Sequence, residues 1–125
     1  ILHGECITHE IDVLAEKDGN IYTIECKFHQ NPTNINNVKI PLYINSRFID
    51  VQKVWNNSGK TTHLKQGWLV TNTRFTKDAI DYAKCVDLTL LSWDYPKNNG
   101  IKNKSGVPKM ACIPLVKGAN KSVPK

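Results

Sequence analysis

The sequence predicts an α/β domain in which a β-hairpin and a helix are followed by a β-α-β unit, giving a mixed sheet flanked by helices. Three observations predict it. Two runs of alternating apolar and polar residues meet at Asp18-Gly19. Apolar residues recur at helical spacing from Ile40 to Trp55, and a short apolar strand is followed at once by a capped helix and another strand.

Asp-Gly is among the strongest two-residue hairpin signals, because both central positions of a type I′ turn need positive φ. With those two residues as the loop, Lys17 faces Asn20 and the register is set. Asp12 then lies opposite Glu25, and Glu10 opposite Lys27. Alternation puts Thr23, Glu25 and Lys27 on one face of the second strand and Tyr22, Ile24, Cys26 and Phe28 on the other, which their apolar character marks as the core face. After a polar loop over residues 31–37, Ile40, Ile44, Phe48, Val51 and Trp55 form the apolar stripe of an amphipathic helix. Pro41 is acceptable in its first turn, where an N–H would have had no partner.

Residues 59–66 read as a polar connection and residues 67–72 as a short buried strand. Thr76 is a good N-cap for the next helix. Phe75 before it can staple onto Ile80, and Asp78 sits in the first turn, where the helix dipole favours an acid. Asp87 ends that helix, and residues 88–93 form the next strand. Strand, helix and strand in this order imply a right-handed parallel unit.

A chain of 125 residues holds one domain at about 100 to 200 residues each. Apolar residues at 40% and charged residues at 22% exclude wholesale disorder and fibrous repeats. No apolar run approaches the ~18 residues of a membrane span and no signal peptide is visible, so a soluble, cytoplasmic protein with no membrane partner is expected. Cys6, Cys26, Cys85 and Cys112 form no C-x-x-C pair, which leaves buried thiols as the reading. The start at Ile1 suggests a domain cut from something longer.

The net charge of +6 is unevenly placed. Residues 1–96 carry 10 Lys and Arg against 11 Asp and Glu, a balance of −1, whereas residues 97–125 carry 7 Lys and no acid. Residues 1–96 therefore read as the folded domain and residues 97–125 as a basic, Pro-, Gly- and Asn-containing tail, with one strand-like run at residues 110–116. Such a tail either grips phosphates without regard to sequence, weakening as salt rises, or simply aids solubility.

The chemistry concentrates on the polar face of the hairpin. Charged residues on the outside of a hairpin are common, but like charges directly opposite each other destabilise a sheet, so Asp12 facing Glu25 calls for a neutraliser. A divalent cation is the natural one. Paired carboxylates hold Mg²⁺ through oxygen, the ion neutralises phosphate charge and acidifies a bound water, and a nearby lysine such as Lys27 orients that water or stabilises developing charge. Lys39, Tyr43 and Arg47 form a second stripe on the first helix, read either as a solvated face or as a row that contacts DNA phosphates.

Residues 11–15, Asp18-Gly19 and Glu25-Cys26-Lys27-Phe28-His29 resemble the signature of PD-(D/E)xK nucleases in its Mrr-like restriction endonuclease form. Residues 67–73 with Phe75-Thr76, then residues 79–83 and 91–96, resemble the later strand, helix and strand of that family. The likeness is closest to the version attached to ATP-cone domains, and spans roughly residues 4–96. It implies a restriction-endonuclease-like fold and a metal-dependent endonuclease acting on DNA, with Mg²⁺ as cofactor and Mn²⁺ able to substitute. Asp12 and Glu25 would be metal ligands, the Cys26 carbonyl would complete the metal's inner shell, with its thiol toward the core, and Lys27 would be the catalytic lysine.

His9 and Glu10 are candidates for supporting or proton-handling groups, with an exposed strand end the other reading of His9. His29 is a candidate for a phosphate or proton contact. The family's N-terminal helix is absent here, so an uncovered sheet face and an inactive isolated domain are also expected outcomes. A homodimer and an ATP-cone domain in a longer parent are further partners consistent with the resemblance. The alternative function is a noncatalytic nucleic-acid-binding or nucleotide-regulated module that keeps the nuclease fold.

Overall fold

Asp18 and Gly19 both have positive φ, 55° and 81°, so the hairpin closes as expected on a two-residue loop. The structure, a computed structural model, describes residues 1–103. In chain order the elements are β1 (Leu2–His3), β2 (Thr8–His9), β3 (Val13–Lys17), β4 (Asn20–Lys27), β5 (Ile35–Asn36), α1 (Lys39–Asn56), β6 (His63–Thr71), β7 (Arg74–Phe75), α2 (Lys77–Val86) and β8 (Thr89–Leu91), followed by one 3-10 turn, Ile101–Asn103. The main sheet has the order β3-β4-β6-β8. β3 pairs antiparallel with β4 in the predicted register, from Lys17↔Asn20 to Val13↔Ile24. β6 runs parallel to β4, and β8 parallel to β6, so the α/β class and the mixed sheet are as predicted.

The helices do not flank the sheet; both lie on one face. β4-α1-β6 and β6-α2-β8 are consecutive crossovers that step in the same direction across the sheet, and same-handed crossovers stepping the same way deliver their helices to the same side. Ile21 and Leu64 pack there with Phe48 and Val51 of α1, while Leu69 and Leu90 pack with Ile44, Phe75, Ala79, Ala83 and Leu88. The covered face of β4 is therefore Ile21, Thr23 and Glu25, all buried, and not the face of Tyr22, Ile24 and Cys26, which is half-buried. Among the described residues neither helix covers that second face.

β6 begins at His63, four residues earlier than expected, because Leu64 is fully buried and pairs with Ile21, just before a register shift that leaves Lys65 of β6 without a ladder partner on β4. A single apolar residue in a polar string hides such an extension. α1 and α2 form where periodicity put them, with Pro41 in the first turn of α1. Thr76 caps α2 by accepting from Ala79 N at 3.2 Å, and Asp87 closes it in the left-handed conformation. No helix among the described residues is long and apolar enough to cross a membrane.

The packed unit continues past residue 96, since Ile101 is buried and its N–H donates to the Ser92 carbonyl at 2.8 Å. The run at residues 110–116 and most of the basic tail lie outside the described residues.

A minor parallel ladder, β5 with β7, ties the loop after β4 to the loop after β6. Asn36 is its lock. Only 2% exposed, it shares its Nδ2 hydrogens among Thr71 Oγ1 (3.1 Å), Thr73 Oγ1 (3.0 Å) and the Arg74 carbonyl (2.9 Å). With its nitrogen so committed, Oδ1 accepts from His29 Nε2 at 2.8 Å. Asn36→Ala should destabilise the domain by about 2–4 kcal/mol, because several buried polar groups lose their partner together. Urea unfolding measures it, and a loss below about 0.5 kcal/mol would mean the network is dispensable.

Candidate active site

The alternation of β4 aims Glu25 at α1, and the end of β3 brings Asp12 beside it. Asp12 Oδ2 accepts from the Cys26 N–H at 2.9 Å, and the Asp12 N–H points at Glu25 Oε1 at 3.4 Å. The two acids of adjacent strands thus meet just beyond the last ladder pair, Val13↔Ile24. The register stops there, so the expected pairing of Glu10 with Lys27 is not formed as a ladder pair.

A side chain from α1 supplies a counter-charge to Glu25. Arg47 Nε donates to Glu25 Oε2 at 2.9 Å, both side chains being largely buried. Its other nitrogens donate to the Glu10 carbonyl and to the Tyr43 hydroxyl, and the guanidinium lies 5.3 Å from the Tyr43 ring centre. Arg47 is therefore turned inward rather than standing in a row of phosphate contacts with Lys39 and Tyr43, which are both exposed. A planar guanidinium suits this position, since it serves a carboxylate, a carbonyl and a hydroxyl at once. Burial pushes the Glu25 carboxyl above its ordinary value, with Asp12 adding to the rise and Arg47 opposing it.

Lys27 ends β4 with an exposed side chain that has no hydrogen-bond or ionic partner among the described residues. It lies two residues from Glu25 on the same strand face, and its ladder partner on β6 is Thr71. The Cys26 side chain points to the half-buried opposite face, away from both helices, so its placement toward the helix-packed core is corrected.

His9 is buried elsewhere, with Nε2 donating to Asp50 Oδ2 at 2.7 Å; it is neither an exposed strand end nor a neighbour in the carboxylate pair's hydrogen bonds. That bond, followed by the N–H groups of Cys6 and Ile7, holds the Asp50 carboxyl down to about 2, against the opposing effect of burial. This ties the N-terminal loop to α1. Glu10 contributes its carbonyl to Arg47 while its side chain is exposed. His29 has its Nε2 on Asn36 and its Nδ1 3.4 Å from Asn34 Nδ2, so both ring nitrogens are engaged in holding loops rather than facing a phosphate.

Two acids do not make an all-protein metal cage, and among the described residues no group of three His, Cys, Asp or Glu side chains could hold a metal. Mg²⁺ needs less. It keeps several waters and binds through one or two carboxylates together with substrate phosphates, a donor set that Asp12 and Glu25 fit.

Sequence reasoning missed the Arg47–Glu25 pair, although an arginine at the inner edge of an amphipathic stripe opposite a buried acid was its signal. It also missed Asn36 and Asn72, whose amides bind loops together; Asn72 accepts from the His29 N–H at 2.8 Å and donates to the His29 carbonyl at 2.7 Å. Asparagines in polar loops carry no such signal.

No family model matches the chain. An uncharacterized protein of Archaeoglobus fulgidus is 44% identical over 102 residues, covering 82% of this chain and 53% of the relative. The crystal structure of a protein of unknown function, AF1548, superposes with a TM-score of 0.70 at 42% identity, covering 82% of this chain and 50% of that one. The chain thus spans about half the length of each protein it matches, and neither comparison carries a function.

Proposed function

We propose that the chain is a metal-dependent endonuclease domain of the Mrr-like, restriction-endonuclease-like kind, hydrolysing DNA phosphodiester bonds in the cytoplasm. The observation that carries the reading is the meeting of Asp12 and Glu25 at the open end of the hairpin, with the unengaged ammonium of Lys27 two residues along the same strand face. Asp12 and Glu25, with the Cys26 carbonyl, would hold Mg²⁺, with Mn²⁺ able to substitute. When bound, the ion neutralises phosphate charge and acidifies a coordinated water.

The protein's own groups do the rest. A ligand carboxylate must be ionised, and Arg47 favours the ionised form of Glu25 against the burial that disfavours it. Arg47 also fixes the Glu25 side chain between α1 and the hairpin, so the carboxylate is oriented before substrate arrives. Lys27 presents three N–H donors and a full positive charge where negative charge builds on the phosphoryl oxygens. A homodimer and an ATP-cone domain in a longer parent belong to the same proposal.

One observation favours a second reading: Glu25 already has a cationic partner in Arg47 and so needs no ion to be stable. A noncatalytic nucleic-acid-binding or nucleotide-regulated module would keep such a pair. Plasmid nicking with and without Mg²⁺ or Mn²⁺ separates the two, since duplex binding without nicking under either metal favours the module. Calorimetry should show Mn²⁺ binding in the parent chain and at least about tenfold weaker binding in Asp12→Asn. An unchanged Mn²⁺ affinity in that variant removes the metal assignment.

A further inference from the structure

Beside Lys27, at the carboxyl ends of the parallel strands, lies a cavity of about 300 Å³ lined by Gln30, Pro32, Asn72, Thr73, Arg74 and Trp93. Clefts outside the carboxyl ends of parallel strands are where open α/β sheets take ligands. We infer that this cavity receives an unstacked base of the DNA substrate, so that the preferred substrate carries a single-stranded or easily flipped nucleotide next to the bond that is cut. The inference rests on the nuclease reading and adds a substrate class to it.

Trp93 is the first reason. The residue is 42% exposed, a costly place for a tryptophan, yet its backbone is clamped. The Trp93 N–H donates to the Thr73 carbonyl at 3.0 Å, its carbonyl accepts from Lys102 N at 3.0 Å, and Gly100 packs so closely that a Cβ there would lie 2.7 Å from the Trp93 oxygen. An exposed aromatic face on a fixed backbone is a stacking platform, which serves any base because every base has a π-face.

The polar lining divides into groups that build the pocket and groups left to read a ligand. Asn72 spends both ends of its amide on the His29 peptide, and buried Thr73 belongs to the Asn36 network, so the wall and floor are rigid. Gln30, by contrast, has an exposed side-chain amide with no partner among the described residues, and a free amide offers the donor and acceptor pair that base edges match. Arg74 is held through Nε by Asp94 Oδ2 at 2.9 Å, which offsets the charge of Asp94 and leaves the outer guanidinium edge for a phosphate.

Position links the cavity to the chemistry. Thr71 is the ladder partner of Lys27 and Asn72 follows it, so by strand geometry the cavity wall starts about 6 Å from the Lys27 backbone. That is within the reach of one nucleotide whose phosphate sits at Lys27. Taking a base out of the stack costs least where it is mismatched or already single-stranded, which makes the pocket a source of selectivity.

The test uses the full 125-residue chain with Ca²⁺ in place of Mg²⁺: tryptophan fluorescence of the parent is titrated with a single-stranded oligonucleotide, a matched duplex, the same duplex with one mismatch, and a free deoxynucleoside monophosphate, and the affinities of parent and variants are compared by the anisotropy of a labelled oligonucleotide with the same species as competitors. Single-stranded and mismatched DNA should quench fluorescence and bind more tightly than matched duplex. Trp93→Ala should weaken single-strand binding by about 5- to 100-fold, with Trp93→Phe recovering most of it and both variants melting like the parent. Gln30→Ala should narrow the differences among bases at the unpaired position.

Equal affinity for matched and mismatched duplex, or unchanged single-strand binding in Trp93→Ala, overturns the inference. So does a free monophosphate that binds as tightly as DNA, which would assign the cavity to a free nucleotide. If Trp93→Ala is without effect while Lys27→Ala abolishes nicking, the base pocket falls and the nuclease reading stands. If metal-dependent nicking is never seen, the nuclease reading falls whatever Trp93 does.

Discussion

Lys27→Ala should abolish metal-dependent DNA cleavage, lowering the rate at least about 10²-fold, while leaving the melting temperature and DNA affinity nearly unchanged. The side chain is exposed at the end of β4 and has no partner among the described residues. Its loss opens no cavity and strands no buried group, so the stability change should stay within about 0.5 kcal/mol. What it removes, on the proposed mechanism, is one positive charge beside the phosphoryl group, and removing one such donor typically slows a reaction by about 10²- to 10³-fold. Single-turnover nicking rates and thermal melts decide the matter. A variant that still cuts at the parent rate takes the catalytic role away from Lys27, and one that melts far lower shows that the lysine is structural.

The second large effect is on stability and its pH dependence. Arg47→Met should destabilise the domain by on the order of 3 kcal/mol at neutral pH, because it leaves the buried Glu25 carboxylate without its counter-charge. The sign with pH follows from the direction of the Glu25 shift. Burial already raises its carboxyl above about 4.5, and losing Arg47 raises it further, so between the unfolded and folded values the native state holds a proton that the unfolded state has released. Stability of the variant therefore falls as pH rises through that window, and much of the deficit should vanish at or below about pH 4.5. Urea unfolding of parent and variant at pH 4.5 and 7.5 measures it. A deficit independent of pH would mean that Arg47 acts through its packing on Tyr43 and not through its charge.

Both predictions turn on β4, where the sequence was partly transparent. The positive-φ demand of Asp18-Gly19 specified the loop, and the loop specified the register, so the meeting of Asp12 and Glu25 was legible before any tertiary contact was known. Which face of β4 would be covered was not legible. Apolar character favoured the side of Tyr22, Ile24 and Cys26, but the crossover through α1 placed Phe48, Val51 and Arg47 over Ile21, Thr23 and Glu25. Burial of Glu25 is tolerable only because Arg47 arrives with it, and that arrival depends on the docking of a helix 22 residues away in sequence.

The same division holds for the whole chain. By itself the sequence determined what local physics determines: the hairpin turn and its register, the period and extent of α1, the Thr76 cap of α2, and the parallel β-α-β order, each set by backbone conformation or by hydrophobic spacing within a few residues. Only the tertiary structure decided the rest. It put both helices on one face, turned Arg47 from a surface stripe into the partner of Glu25, took His9 and His29 into loop-holding bonds with Asp50 and Asn36, and gathered Gln30, Asn72 and Trp93 around one cavity. Those outcomes depend on which polar groups meet across loops far apart in the chain, where a hydrogen bond is chosen by three-dimensional proximity and leaves no periodic mark in the residues that make it.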